Sequence, residues 1–340
     1  MKVAVVNNSL NPDLMTYFTV KERAAFQDVF FYSCFAHSKF TRIPSSFSRK
    51  NGLSGWLPID IFWGVALGFF LKFKGIKIII YDTAHISNLG LSAVTKIMGL
   101  KQVFTIHDWE PHEGKMKFAT TVYNWAASGL LADELIVFSS VIATKKTHRI
   151  RLSGFELGAR SDTERSGVLF FGRIQPYKGV RHLPLIAKKL GACDPNIRIR
   201  VVGAGSDPHL RELEQCANVD VLNDFIPEEL LDKELSETAV VILPYDSATQ
   251  SGVVIKSFAF GVPVVAFDVG NLREYISDGL SGRLVKHADL DGFVDAVLDT
   301  ITNQKKFSEI ILKNFDKDFG VQALTSQYAS LLEQWRETKC

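Results

Sequence analysis

Short runs of apolar and β-branched residues alternate along this chain with longer stretches whose apolar positions recur at helical spacing. In the first half the short runs are Lys2–Val6, Val29–Tyr32, Ile76–Tyr81, Gln102–Thr105 and Leu135–Phe138. Between them Leu14–Phe26, Ile59–Phe73, Leu89–Met98 and Phe118–Ser128 carry a helical pattern. Near-continuous Val, Ile and Phe in the short runs predicts strands of a parallel sheet buried on both faces. Residues 139–166 break the alternation with Lys145-Lys146, Ser153-Gly154, Gly158 and a polar run from Arg160 to Ser166. The pattern then restarts, with strands expected at Val168–Phe171, Ile197–Val202, Val219–Leu222, Ala239–Leu243, Val264–Phe267 and Arg283–Val285. Val180–Leu190 reads as a helix stopped by Gly191. Ser206-Asp207-Pro208 and Pro227-Glu228-Glu229 read as helix starts.

The expectation is an α/β protein of two tandem Rossmann-like, doubly wound parallel-sheet domains. Residues 1–160 form the first and 161–320 the second, and 321–340 form a C-terminal helix packing back across both. Ligands of such sheets bind beyond the carboxyl ends of the strands. A cleft between facing domains is therefore the expected site.

Composition narrows the class. The chain has 340 residues, 46% hydrophobic and 22% charged, ordinary values for a globular protein of two domains. The formal net charge of +2 conceals a basic half, roughly +8 over residues 1–160, and an acidic half, roughly −6 beyond. Either this is scatter in surface composition, or the first half meets an anionic surface such as a membrane leaflet or a diphosphate-bearing lipid. Cys34, Cys193, Cys216 and Cys340 lie at no metal-ligand or redox spacing, which fits a reducing, cytoplasmic setting. No signal peptide is evident. The uncharged run Ile61–Leu71 falls short of the ~18 apolar residues that span a bilayer. Leu57–Phe73 is either a buried core helix or one resting in a membrane interface beside Lys72, Lys74 and Lys77. No feature points to nucleic acid.

Two constellations carry candidate chemistry. In Phe170-Phe171-Gly172-Arg173-Ile174-Gln175-Pro176-Tyr177-Lys178-Gly179 a strand ends in a glycine and an arginine, and a lysine follows at a helix start. A forked guanidinium and a point-charge ammonium suit the oxygens of a diphosphate; alternatively both are solvated loop charges. In Pro244–Gly261 a strand ends at Pro244, a polar loop follows, and a helix opens after Ser251-Gly252. Free N–H groups at such a start accept an anion. Ser251 either touches that ligand or only caps the helix.

Together these segments resemble glycosyltransferase family 4, the group 1 transferases, over about residues 168–290. Gly172-Arg173 and Lys178-Gly179 correspond to the family's diphosphate-binding pairs. Gly261-Val262-Pro263-Val264-Val265-Ala266 and Gly270-Asn271-Leu272-Arg273-Glu274 resemble its Gly-x-Pro and Gly-Gly-x-x-Glu segments. Asn223-Asp224-Phe225-Ile226-Pro227 resembles the loop whose backbone contacts the nucleobase. Gly203-Ala204-Gly205 fits as well. The family's two glutamates eight positions apart are replaced by Ala248 and Lys256, the latter a further phosphate cation or a helix-face charge. Ala248-Thr249-Gln250-Ser251-Gly252-Val253 instead resembles a bacterial polysaccharide-assembly subgroup, as does Thr105-Ile106-His107-Asp108-Trp109-Glu110-Pro111-His112-Glu113-Gly114. The family's glycine-rich loop after the first strand is absent, with Asn7-Asn8-Ser9-Leu10-Asn11 in its place.

The resemblance implies a GT-B fold and a retaining, metal-independent transferase without a cofactor. It would move a sugar from a nucleotide-sugar to a glycan acceptor in surface polysaccharide assembly. The basic first half points to a lipid-diphosphate-linked acceptor, as in O-antigen or exopolysaccharide assembly on the inner membrane face, with a soluble acceptor as the alternative. His107, Arg173 and Lys178 would be catalytic. Gly172, Phe225, Ile226, Gln250, Ser251, Gly252, Val253 and Glu274 would bind the donor, and Asp108 and His112 would face the acceptor. A silent GT-B-fold binding partner is one alternative. A nucleotide-sugar epimerase is another, with Glu110 and Glu274 as its only tempting carboxylates.

Overall fold

The structure is a computed structural model, and it describes residues 2–6, 29–33, 41–42, 65, 68–82, 86–106, 117–138, 146–158, 164–248 and 251–337. The chain divides into two compact units, residues 1–154 with 321–340, and residues 155–320.

The first unit contains a parallel sheet of β1 (Lys2–Val6), β2 (Val29–Ser33), β3 (Thr41–Arg42), β4 (Ile76–Tyr81), β5 (Lys101–Ile106), β6 (Glu134–Val137) and β7 (Lys146–Arg149). Their spatial order is β3-β2-β1-β4-β5-β6-β7. The interior strands β1, β4, β5 and β6 are nearly all buried, as their unbroken aliphatic sequences require. Tyr81 and Phe104 stack at 4.6 Å between ring centroids. The Tyr81 hydroxyl reaches Thr95 Oγ1 at 2.9 Å, so this buried polar group is satisfied.

β7 lies inside the segment expected to break the pattern. Its sequence, Lys-Thr-His-Arg, is polar because it closes one edge of the sheet and is only half covered. The last helix, Val321–Glu337, completes this unit. Gln327 accepts the Arg151 N–H at 2.6 Å and donates to Ser153 Oγ at 3.0 Å. The Trp335 indole N–H donates to Glu134. Glu134 also accepts from Lys101 at 2.6 Å and from His148. Burial works to raise this carboxyl, but the Lys101, His148 and Trp335 donors override it and bring its pKa to about 2. The 321–340 segment thus groups with the first unit.

Of the two readings of Leu57–Phe73, a core helix or one resting in a membrane interface, the described part does not fit a wholly buried helix. The 68–73 turns bury Leu71 but leave Phe69, Phe70 and Phe73 exposed. Among the described residues no helix is long and apolar enough to cross a membrane.

The second unit holds β8 (Ser166–Phe171), β9 (Ile199–Val202), β10 (Val219–Leu222), β11 (Thr238–Leu243), β12 (Val264–Phe267) and β13 (Gly282–Val285). Their order is β10-β9-β8-β11-β12-β13, with every pairing parallel. From β8 the chain winds outward through β9 and β10, then restarts at β11 and winds the other way. Such a reversal opens a crevice at the carboxyl ends of the two central strands, here β8 and β11. The division between units falls at 154/155, six residues before the expected 160/161. Phe155 already belongs to the second unit, its N–H bonded to the Phe319 carbonyl at 3.1 Å.

One predicted helix ends differently. Val180–His182 is a 3-10 turn, and the α-helix runs from Leu183 to Cys193, through Gly191. Gly191 is no stop signal. A Cβ there would approach Asn218 Nδ2 at 3.1 Å, and Asn218 needs that space to donate to the Ala187 carbonyl at 3.0 Å. The second helix start also shifts: Asp207 Oδ1 accepts the His209 N–H at 2.9 Å, and the helix begins at Leu210. Pro227 caps Glu228–Glu237 as expected.

Candidate active site

β8 ends at Phe171 and delivers Gly172 and Arg173 to the crevice between β8 and β11. Gly172 takes φ +108°, and a Cβ on it would stand 2.8 Å from Lys178 Nζ. The missing side chain is what lets the ammonium pass. Pro176–Lys178 forms a 3-10 turn closed by Gly179 at φ +68°. A Cβ on Gly179 would lie 1.7 Å from the Pro244 carbonyl oxygen. The loop after β8 and the loop after β11 are therefore in backbone contact, and the Asp246 N–H donates to the Tyr177 carbonyl at 2.9 Å.

Lys178 is the unusual group. It is 7% exposed, with no carboxylate within ion-pair distance among the described residues. Its Nζ lies over the Tyr245 ring at 5.2 Å from the centroid, a favourable but weak partner. Burial, assisted by the nearby Arg173 guanidinium, lowers its pKa from 10.5 to about 8. A buried ammonium without an anion is costly. Arg173 is exposed. The Tyr245 phenol is buried near Ser251 without a well-formed hydrogen bond, and burial raises its pKa strongly.

The helix Gly252–Ala259 opens beside this loop. Ser251 is its cap: its hydroxyl accepts the Val254 N–H at 3.4 Å. The N–H groups of Gly252 and Val253 have no intrahelical acceptor. Gly252 is exposed, and a Cβ on it would meet nothing within 4 Å. Val253 also reaches Gly172, whose Cβ would sit 3.6 Å from Val253 Cγ2. Gly172, Lys178, Val253 and the helix start are thereby brought together. Lys256 is not a phosphate cation. It pairs with Glu228 at 2.9 Å and Asp232 at 2.6 Å, one helix turn beyond Gly252.

Phe225 and Ile226 follow β10. Phe225 is 80% exposed. Asn223 Oδ1 accepts the Gly205 N–H at 3.1 Å, tying the loop after β10 to the Gly203-Ala204-Gly205 turn after β9. That turn in turn bonds the loop after β8, through Ile174 N–H to Ala204 O at 2.9 Å. Glu274 ends a 3-10 turn after β12, held to the loop after β11 by Asn271 N–H to Ala248 O at 3.2 Å. His107, Asp108, His112 and Gln250 lie outside the described residues. Sequence reasoning missed Tyr245, under the lysine, and the group of Arg181, His182, Asp246 and His287.

Residues 165–303, nearly the whole second unit, match the family described as group 1 glycosyl transferases. The chain contains a group 1 glycosyl transferase domain. D-inositol 3-phosphate glycosyltransferase of Geodermatophilus obscurus is 32% identical over 183 residues, 49% of this chain and 41% of the relative. GDP-mannose:glycolipid 4-beta-D-mannosyltransferase of Xanthomonas campestris pv. campestris is 26% identical over 182 residues, 50% of this chain and 51% of the relative. The chain spans about half the length of the curated relatives it matches. Across both units the fold is that of GT-B glycosyltransferases. Sucrose-phosphate synthase from Thermosynechococcus elongatus superposes with a TM-score of 0.73 at 16% identity, covering 99% of this chain and 100% of that one. Anabaena HepE, solved in complex with UDP, gives 0.70 at 16% identity, covering 98% and 100%. The group 1 transferase domain thus carries the crevice, the buried lysine and the helix start.

Proposed function

We propose that this chain is a retaining glycosyltransferase that moves a sugar from a nucleotide-sugar to a glycan acceptor without a metal at the diphosphate. The observation that carries the reading is Lys178: a buried ammonium, with no carboxylate partner among the described residues, at the strand crevice of a group 1 glycosyl transferase domain. Such a cation is stabilised only when an anion enters, and a diphosphate supplies one. Relatives and structural neighbours support the same donor class. The Xanthomonas relative is a GDP-mannose enzyme, and HepE is solved with UDP and with UDP-glucose.

In this reading Lys178, Arg173 and the N–H groups of Gly252 and Val253 surround the departing diphosphate. They stabilise the charge that grows on it as the glycosidic bond breaks. Ser251 fixes the helix end and does so through its cap. Phe225 and Ile226 flank the base, and Glu274 and Gln250 hold the sugar. His107 approaches the reacting sugar, with Asp108 and His112 toward the acceptor. No enzyme nucleophile is assigned, since the leaving phosphate takes the acceptor proton. A lipid-linked acceptor in surface polysaccharide assembly, on the cytoplasmic membrane face, fits the glycolipid specificity in the name of the Xanthomonas relative. It also fits the exposed Phe69, Phe70 and Phe73 beside Lys72 and Lys74.

Calorimetric titration with UDP, GDP and ADP, with and without Mg2+, tests the donor site. Metal-independent binding of one nucleotide, abolished in Arg173→Ala/Lys178→Ala, is expected. Equal binding by that variant would remove the diphosphate from this crevice.

A further inference from the structure

Three ligand atoms that the donor reading does not use converge at a second point of the same unit. His182 ends the 3-10 turn after Gly179, Asp246 follows Pro244-Tyr245, and His287 lies in the loop after β13. Segments far apart in sequence thus bring His182 Nε2 to 3.0 Å, and His287 Nε2 to 2.9 Å, from a single atom, Asp246 Oδ1. All three atoms lie within 4.8 Å of one another. Both rings are held edge-on to Phe267, at 5.3 and 5.4 Å between centroids. The His182 side chain is 11% exposed and that of His287 41%, so the point is fixed from within and open on one side.

Hydrogen bonding alone leaves the arrangement over-determined. Arg181 donates Nη2 to the same Asp246 oxygen at 2.8 Å and Nε to His182 Nε2 at 3.3 Å. When His182 Nε2 accepts from Arg181 it carries no proton for Asp246, so two lone pairs face each other. Positive charge relieves this. Arg181, with a side chain 53% exposed, supplies it from the solvent side. A compact divalent ion would instead take all three atoms as ligands at once. Two imidazoles and one carboxylate with an open fourth position form a recurrent Zn2+ donor set. Mg2+ prefers oxygen alone.

We propose that His182, Asp246 and His287 bind a divalent transition-metal ion of the Zn2+ class, with Arg181 as the cation it displaces. The ion would clamp the loops after β8 and β11, which already meet through Asp246 N–H to Tyr177 O. It would brace the platform beneath Lys178 without touching the reacting groups. The proposal does not depend on the glycosyl-transfer reading.

The test uses the full chain, tag removed, in a Cys193→Ser background that eliminates an exposed thiol. Metal-free protein is dialysed against Zn2+ or Mg2+, and bound metal is measured by mass spectrometry alongside thermal melts. About one Zn2+ per chain is expected, with a zinc-dependent rise in melting temperature and no Mg2+ retained. Affinity should fall at least ~10-fold in His287→Ala and in Asp246→Asn, and should rise in Arg181→Ala. No saturable Zn2+ uptake, or parental affinity in both ligand variants, overturns the site. Should a ligand variant fail to fold, the Arg181→Ala protein decides: weaker zinc binding there refutes the displacement and the site.

Discussion

Replacing Lys178 with methionine separates what the buried ammonium costs from what it provides. Methionine keeps the length and apolar stem of the side chain and removes the charge. In the protein as described, burial and the neighbouring Arg173 lower the lysine from 10.5 to about 8. At about 1.4 kcal/mol for each pH unit between those values, holding the charge inside costs about 3 kcal/mol at pH 7. The sign follows from proton binding. Below about pH 8 both folded and unfolded chains are protonated, and the whole penalty is present. Between pH 8 and 10.5 the unfolded chain keeps the proton that the folded one has lost, so the penalty shrinks as pH rises. Urea unfolding of nucleotide-free protein should therefore find Lys178→Met more stable than wild type by about 3 kcal/mol at pH 7, and by only about 1.4 kcal/mol at pH 9.5. Loss of the Tyr245 ring contact trims both figures slightly. The same variant should bind nucleoside diphosphate at least ~30-fold more weakly, because a desolvated charge pair is worth about 2 kcal/mol or more to its partner. A Lys178→Met protein that is less stable and yet binds nucleotide normally would refute this account of the lysine.

Other consequences follow from neighbouring contacts. Gly179→Ala places a methyl against the Pro244 carbonyl at a left-handed φ, so unfolding should register a loss of about 2 kcal/mol or more, with nucleotide binding weakened in step. Phe225→Ala removes an exposed ring; calorimetry should show nucleotide affinity down by about 1 kcal/mol, the worth of a base–aromatic stack, with unchanged melting temperature. Glu134→Gln weakens the anchor of the last helix, and hydrogen exchange should accelerate across Val321–Glu337, with stability down by about 2 kcal/mol at pH 7. Because the Glu134 carboxyl is held at about 2 against an ordinary 4.5, its contribution is full above pH 4.5. It is lost as pH falls toward 2, where wild type and Glu134→Gln should converge.

The interior strands and the cations of the crevice were legible in the sequence because each is written in consecutive residues. β11 is buried at all six positions, so its apolar run is unbroken, and Gly172-Arg173 with Lys178-Gly179 occupies one short loop. What escaped depends on partners distant in sequence. β7 is an edge strand with a polar sequence, invisible to a search for apolar runs. Gly191 reads as a helix end until Asn218, from another element, is seen to require its small size. Lys256 reads either as a phosphate cation or as a helix-face charge until Glu228 and Asp232, from another helix, pair with it. His182 and His287 stand 64 and 41 positions from Asp246, and only the order of the strands brings them together.

The measurement that bears most directly on the central claim is release of nucleoside diphosphate from UDP-, GDP- and ADP-sugars, with a glycolipid acceptor and EDTA present. The anomeric configuration of the product is read by NMR. Wild type should release one nucleotide and form a glycoside of retained configuration, and Lys178→Ala should lose at least ~100-fold in rate. No release from any donor, or an equal rate from Lys178→Ala, would contradict the assignment of this crevice to glycosyl transfer.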